Sequence, residues 1–335
     1  MKISPICYFP KANIKIQKSS IALNYRKNEL KNDAVSFKGK VIINPAWDEF
    51  ESEFNEAHKD ESVNDVLLSS IQNPKNRLGE GVKKVVYLID GVDDFVVARM
   101  KNEDFNPQKP CVPCVDKLPQ CNVGQAVGRN QAGFFIMKKI TGQSHGISDW
   151  SSLYTGFVYE NRAITKQEAE TFLAQLRDIN GLSFEAYIDL AKQIKYLADK
   201  KIKIDMINPN NLMVDCKNNK MTYFDLFEKP EVFYHILPEI NSVQDMAYLI
   251  IDPLLQSEYL KALDSEKKEE MIALVQEIML KVKHAGKIAG LVDDEHIVST
   301  TYALLQGRLM VKNNERNPRY LEQYNEFRKI YRDII

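Results

Sequence analysis

No apolar run in this sequence approaches the roughly 18 residues that a membrane-spanning helix needs. The densest, AYLIIDPLL at residues 247–255, is broken by Asp252 and Pro253, so no membrane span is expected. An excess of one charge is also missing. The 45 Lys and Arg against 46 Asp and Glu leave a formal net charge of −1, without the basic footprint of a dedicated nucleic-acid binder. Cysteine is scarce, with five in 335 residues at positions 7, 111, 114, 121 and 216. An odd count in a long chain without a signal-peptide pattern points to reduced thiols in a cytoplasmic compartment. Cys111-Val-Pro-Cys114 and the nearby Cys121 fall short of a structural zinc site. Such a site wants four ligands, and the nearest histidine is His145; a Pro-rich loop that carries thiols is the plainer interpretation.

What is present divides the chain into four stretches. Residues 1–40 hold nine Lys or Arg and two acids. They lack the apolar core of a Sec signal and read as a disordered basic tail, or alternatively as the leader of a secreted effector. Residues 41–74 form a helical extension, in which Trp47, Phe50 and Phe54 fall at helical spacing. Residues 75–141 are β-rich: NRLGEG, KKVVYLID and DFVVARM are strand-like, residues 101–133 look like a long irregular connection, and GFFIMKKI is a further strand closed by Thr141-Gly142. Residues 142–335 are mainly helical.

In that last stretch, Ala169, Phe172, Leu173, Leu176 and Ile179 share one helix face behind a Thr165–Glu168 capping box. A second helix follows with Phe184, Tyr187, Ile188, Ala191, Ile194 and Leu197. The segments NLMVD and KMTYFD read as two short strands joined by CKNNK. Four more helices are expected in SVQDMAYLIID, EEMIALVQEIMLKV, VSTTYALLQGRLMV and PRYLEQYNEFRKIYRDI. The fold class is therefore α+β, with a small antiparallel β-rich N-terminal lobe and a mainly helical C-terminal lobe. His145, in GQSHGI, reads as a turn residue, and Asp215 as the start of the CKNNK turn.

Two places could carry chemistry. Gly79 and Gly81 lie between strand-like runs, and glycines in a tight turn let backbone N–H groups approach phosphate oxygens. The same pattern also occurs in plain hairpins. Arg99, on the following strand, points to the opposite face from Ala98 and offers a cation for phosphates. The second place is IKIDMINPNNLMVDCKNNKMTYFD, residues 202–225. In a two-stranded ribbon, Asn211 just before LMV and Asp225 just after MTYF lie at adjoining ends. An Asn carbonyl with an Asp carboxylate suits Mg²⁺, which takes one or two carboxylates beside nucleotide phosphates. Asp205, just upstream, is placed to orient a hydroxyl nucleophile.

On these residues the chain resembles the protein-kinase-like superfamily, which includes protein kinases and the aminoglycoside- and choline-type phosphotransferases. PNNLMVD…MTYFDLF is similar to that family's catalytic loop and metal-binding D-F-G. LGEGVKKVVYLI resembles its glycine-rich loop, VVAR its V-A-I-K strand, and FFIMKKITG the strand that enters the interlobe hinge. The resemblance spans about residues 75–255. It implies Asp205 as catalytic aspartate, Asn211 and Asp225 as metal ligands, Gly79, Gly81 and Arg99 as phosphate-seating groups, and Asp245 as the brace of the catalytic loop. It further implies ATP and Mg²⁺ as cofactors and a small-molecule or protein hydroxyl as acceptor.

The chain departs from the pattern in several places. Ile204 stands before Asp205 in place of H-R or H-G, Arg99 replaces the usual lysine, and Lys84 replaces the third loop glycine. Leu226 and Phe227 follow Asp225. Asn210 fits the family spacing from Asp205, whereas Asn211 requires a one-residue bulge. Fewer than twenty residues separate Asp225 from the Asp245 helix, too few for a full activation segment. No partner glutamate for Arg99 is evident, although Glu51, Glu53 and Glu56 are candidates. An active phosphotransferase, atypical and bacterial-effector-like or of the small-molecule branch, is the first expectation. A pseudokinase that binds a nucleotide or a partner is the second, and an unrelated α+β interaction protein the third.

Overall fold

The computed structural model describes residues 46–80, 84–100, 122–127, 133–146, 162–199, 209–223, 242–252, 255–293 and 329. Two helices come first, α1 (Trp47–Ala57) and α2 (Val63–Gln72). Five strands follow: β1 (Arg77–Glu80), β2 (Lys84–Ile89), β3 (Val92–Met100), β4 (Asn122–Val127) and β5 (Gly133–Lys138). They form one antiparallel sheet in the order β1-β2-β3-β5-β4.

Helical period and strand period together make the first core. Phe50 and Phe54, four residues apart on α1, meet Val66 and Leu67 of α2 and the sheet residues Ile89, Phe95, Val97 and Ile136. The Phe50 and Phe95 rings meet edge to face at 5.4 Å. Burying side chains of this size contributes about 1.5–3 kcal/mol each. Alternation along β3 sends Val96 and Ala98 to the other face, where they pack with Met137. One expectation is corrected here: residues 122–127 form strand β4, not irregular chain. The ladder that holds β4 is made with β5, a tertiary partner that the local Pro- and Cys-rich composition does not reveal.

The rest of the described chain is mainly helical. A two-residue strand β6 (Gln143–Ser144) precedes α3 (Lys166–Asn180) and α4 (Phe184–Asp199). Then come the hairpin strands β7 (Leu212–Asp215) and β8 (Lys220–Tyr223), followed by α5 (Val243–Ile251), α6 (Gln256–Ala262) and α7 (Ser265–Ala289). The Thr165–Glu168 capping box opens α3 as expected. Helix α5 is buried at all nine positions, which explains why its sequence is apolar nearly all round. Helix α7 runs along α3, α4 and α5 and ends at Gly290, whose φ of +79° suits a glycine helix stop. An antiparallel β-rich N-terminal part followed by a helical part is the α+β arrangement expected from the sequence. No helix among the described residues is long and apolar enough to cross a membrane. The tail at 1–40, the helix expected at 298–311 and all but Lys329 of that at 318–334 lie outside the described residues.

Candidate functional site

The sheet register assembles the first candidate group. Arg99 on β3 faces Val85 on β2, and Val85 faces Glu80 on β1. One step along, Ala98, Val86 and Gly79 make the adjoining row. Two strand spacings, about 10 Å, therefore separate the Gly79 backbone from β3. Arg99 is exposed and Ala98 fully buried, the alternation expected for this strand. Nothing lies within 4 Å of where a Cβ on Gly79 would sit, and the residue does not need a positive φ. Glycine there leaves an open side beside the backbone, and neither local strain nor packing demands it.

The candidate partner carboxylates are partly spoken for. Glu53 Oε1 accepts the backbone N–H groups of Asp93 and Asp94 at 2.5 and 3.1 Å. That contact pins α1 to the start of β3. Glu49, one turn away, pairs with Lys138 at 2.5 Å. Among the described residues Arg99 has no acidic partner.

The hairpin forms the second group. Leu212 pairs with Tyr223 and Asp215 with Lys220. A tight turn at Pro209–Asn211 delivers the chain into β7; residues 205–208, in the interval where a one-residue bulge is expected, lie outside the described residues. Asn211 is buried, 5% exposed, while Asn210 is half-buried, and its carbonyl accepts from Ser144 Oγ at 2.6 Å. Asp215 starts the turn as expected, accepting the Asn218 N–H at 3.0 Å and the Asn218 side-chain amide at 2.8 Å. It also accepts the Thr141 hydroxyl. That hydroxyl first, and the Asn218 donors after it, hold the Asp215 carboxyl below its ordinary range. Asn219, at φ +51°, exchanges hydrogen bonds with Ser183, and Gln193 on α4 donates to the Met221 carbonyl.

Asp245 is 1% exposed and accepts the Ser242 backbone N–H at 3.1 Å, while its own N–H bonds Ser242 Oγ at 3.0 Å. It is thus the N3 member of a capping box on α5, and α5 packs against the Pro209–Asn211 turn.

His145 lies at the bend after β6, a turn residue as expected, and is 1% exposed. Its N–H bonds the Leu212 carbonyl at 2.7 Å, and its Nε2 donates to the Ile250 carbonyl at 2.6 Å. Ile250 lies in the last turn of α5, where carbonyls have no helical partner, so the imidazole satisfies one of them. Burial lowers its pKa to about 4.

Asp205, Gly81 and Asp225 lie outside the described residues, as do Cys111, Cys114 and Cys121. Among the described residues no group of three or more His, Cys, Asp or Glu could hold a metal ion. No family model and no curated protein matches the chain. Among solved structures it is similar to the pseudokinase domain of BIR2, an immune regulator of the RLK/Pelle family. That likeness has 11% identity over 80% of this chain and 86% of that one, with a TM-score of 0.34. It is also similar to APH(2")-IIia in its GDP and kanamycin complex, at 12% identity over 86% of this chain and 99% of that one, with a TM-score of 0.24. The fold, read from its own strands and helices, is an α+β arrangement in which an antiparallel sheet precedes a mainly helical part.

Proposed function

We propose that this protein is an ATP- and Mg²⁺-dependent phosphotransferase that passes the γ-phosphate to a hydroxyl acceptor. The observation that carries the proposal is the hairpin register. Leu212 pairs with Tyr223; Asn211 is the residue before the first, and Asp225 comes two after the second. In sequence the two oxygen donors thus flank the paired residues of one ribbon, Asn211 next to Leu212 and Asp225 two beyond Tyr223. A neutral carbonyl oxygen and a carboxylate form an all-oxygen set that suits Mg²⁺, and Asn211 and Asp225 would hold it. When bound, the ion neutralises phosphate charge.

The remaining roles fall to the chain itself. Asp205 orients the acceptor hydroxyl and takes its proton. Backbone N–H groups near Gly79 and Gly81 cradle phosphates beside the open flank at Gly79, and the Arg99 guanidinium, a bidentate donor, adds a fixed positive charge. Positioning and charge neutralisation supply the catalysis, without a covalent intermediate. In this assignment residues 75–141 are the nucleotide-covering lobe and 142–335 the lobe that carries the hairpin, with 41–74 a helical extension and 1–40 a tail. The short interval between Asp225 and Asp245 favours a small hydroxyl compound as acceptor; the basic tail favours a protein acceptor of a secreted effector. The compartment we propose for the chemistry is cytoplasmic, where ATP and reduced thiols coexist.

A catalytically silent nucleotide- or partner-binding module is the second reading. The engagement of Glu53 at the Asp93–Asp94 turn favours it, since a carboxylate offered as the partner of Arg99 is in use elsewhere. Transfer from γ-labelled ATP to the protein itself or to a panel of hydroxyl compounds tests the choice. The active reading expects transfer by the native chain and none by Asp205→Ala with ATP binding kept. Transfer that survives Asp205→Ala contradicts the assignment; ATP binding without transfer selects the second reading.

A further inference from the structure

The six residues after the Lys139–Ile140 step out of β5 are bound one after another to the hairpin or to the helices around it. Thr141 donates its hydroxyl to Asp215 Oδ2, which is 74 positions away. Gly142, at φ +113°, lies so close to β7 that a Cβ there would come 2.5 Å from the Val214 carbonyl oxygen. Gln143 and Ser144 pair with Val214 and Met213, and Ser144 Oγ reaches the Asn210 carbonyl at 2.6 Å. His145 N–H takes the Leu212 carbonyl at 2.7 Å. Gly146 is clamped at both its N–H and its carbonyl by the Gln175 side chain, at 2.8 and 2.7 Å. No generic connection needs this density of contacts. Five of the six, all but Gly146, reach the strand that begins immediately after Asn211.

We infer that Thr141 and Asp215 are positioning residues that fix the register of β7, and with it Asn211, against the segment leaving β5. Asp215 suits the task chemically. It is 6% exposed, its Oδ1 accepts the Asn218 N–H, and its Oδ2 accepts both the Asn218 amide and the Thr141 hydroxyl. Hydrogen bonds to a buried charged acceptor are among the stronger ones, and each loses much of its value if a partner is removed. One carboxylate thus closes the hairpin turn and ties that turn to the segment after β5. The inference rests on the phosphotransferase reading for what Asn211 holds, but the tie itself is independent of it.

Thr141→Val removes the hydroxyl at nearly constant shape, and Thr141→Ser keeps it. In Thr141→Val, backbone amides of Leu212–Tyr223 should exchange with solvent about tenfold faster, the loss of one charge-assisted hydrogen bond, while amides of α3 and α4 keep their protection. The gain in ATP affinity on adding Mg²⁺ should fall by a similar factor of about ten. Metal-free ATP affinity should stay as in the native chain, and Thr141→Ser should restore both properties. A merely structural role would lower ATP binding equally with and without Mg²⁺, and that result overturns the inference. Unchanged hairpin exchange in Thr141→Val overturns it too. A native chain with no Mg²⁺-dependent ATP binding is the separate failure of the phosphotransferase reading. In that case exchange alone decides whether Thr141 and Asp215 form the tie.

Discussion

The His145 imidazole donates through Nε2 to the Ile250 carbonyl at 2.6 Å, joining positions 105 apart in sequence. The ring packs against Phe172 with centroids 5.5 Å apart, so one side chain links the β6 region, the end of α5 and the face of α3. Burial lowers its pKa from 6.5 to about 4, and the fold holds it neutral. Between those two values the unfolded chain binds a proton that the folded chain refuses. Stability from this residue is therefore complete above pH 6.5 and declines as pH falls to about 4, by about 3 kcal/mol in all. His145→Phe should lose about 1–3 kcal/mol at pH 7.5, because the Ile250 carbonyl is left buried without its donor. It should also show a shallower loss between pH 6.5 and 4. Chemical denaturation of both chains across this range measures the difference; parallel profiles would contradict the burial argument.

Gly142→Ala meets two obstacles at once. A φ of +113° is unfavourable for an L side chain, and the new Cβ would lie 2.5 Å from backbone that cannot swing away. The expected cost is about 3 kcal/mol or more, seen as a lower denaturation midpoint with an unchanged slope. A midpoint shift within error would mean that β6 does not press on β7 in this way.

Gly79→Ala behaves oppositely. The position is open and needs no glycine conformation, so the fold should keep its stability within about 0.5 kcal/mol. ATP affinity should nevertheless drop, because a methyl group would intrude where phosphates approach the backbone. Calorimetric titration beside a melting curve separates the two; unchanged ATP affinity would remove Gly79 from the phosphate-seating group.

Local signals carried a large share of the fold. The Phe50–Phe54 spacing, the Thr165-x-x-Glu168 box and the valine-rich runs around Gly91 each specify an element by nearest-neighbour physics, and each element forms. The CKNNK turn and its two flanking strands were legible for the same reason. Pairing that depends on distant chain was not legible. Strand β4 exists through β5, and β6 exists through β7. Burial of His145 requires α5, whose Ile250 carbonyl no local window around GQSHGI contains. Asp245 shows a subtler gap. The family resemblance implies a brace there, whereas the Ser242-x-x-Asp245 cap is hard to see in the sequence because Asp stands where a capping box usually has Glu or Gln. Of the candidate site, register sets Gly79 two strands away from Ala98, the neighbour of Arg99, and Asn211 directly precedes β7.

The most direct test of the account is ATP affinity of the native chain and of Asp225→Ala, each measured with and without Mg²⁺. The account predicts that the native chain binds ATP at least about tenfold more tightly with Mg²⁺. Asp225→Ala should abolish that gain while leaving metal-free binding in place. Equal ATP affinity with and without Mg²⁺ in the native chain, or a Mg²⁺ gain that survives Asp225→Ala, would contradict it.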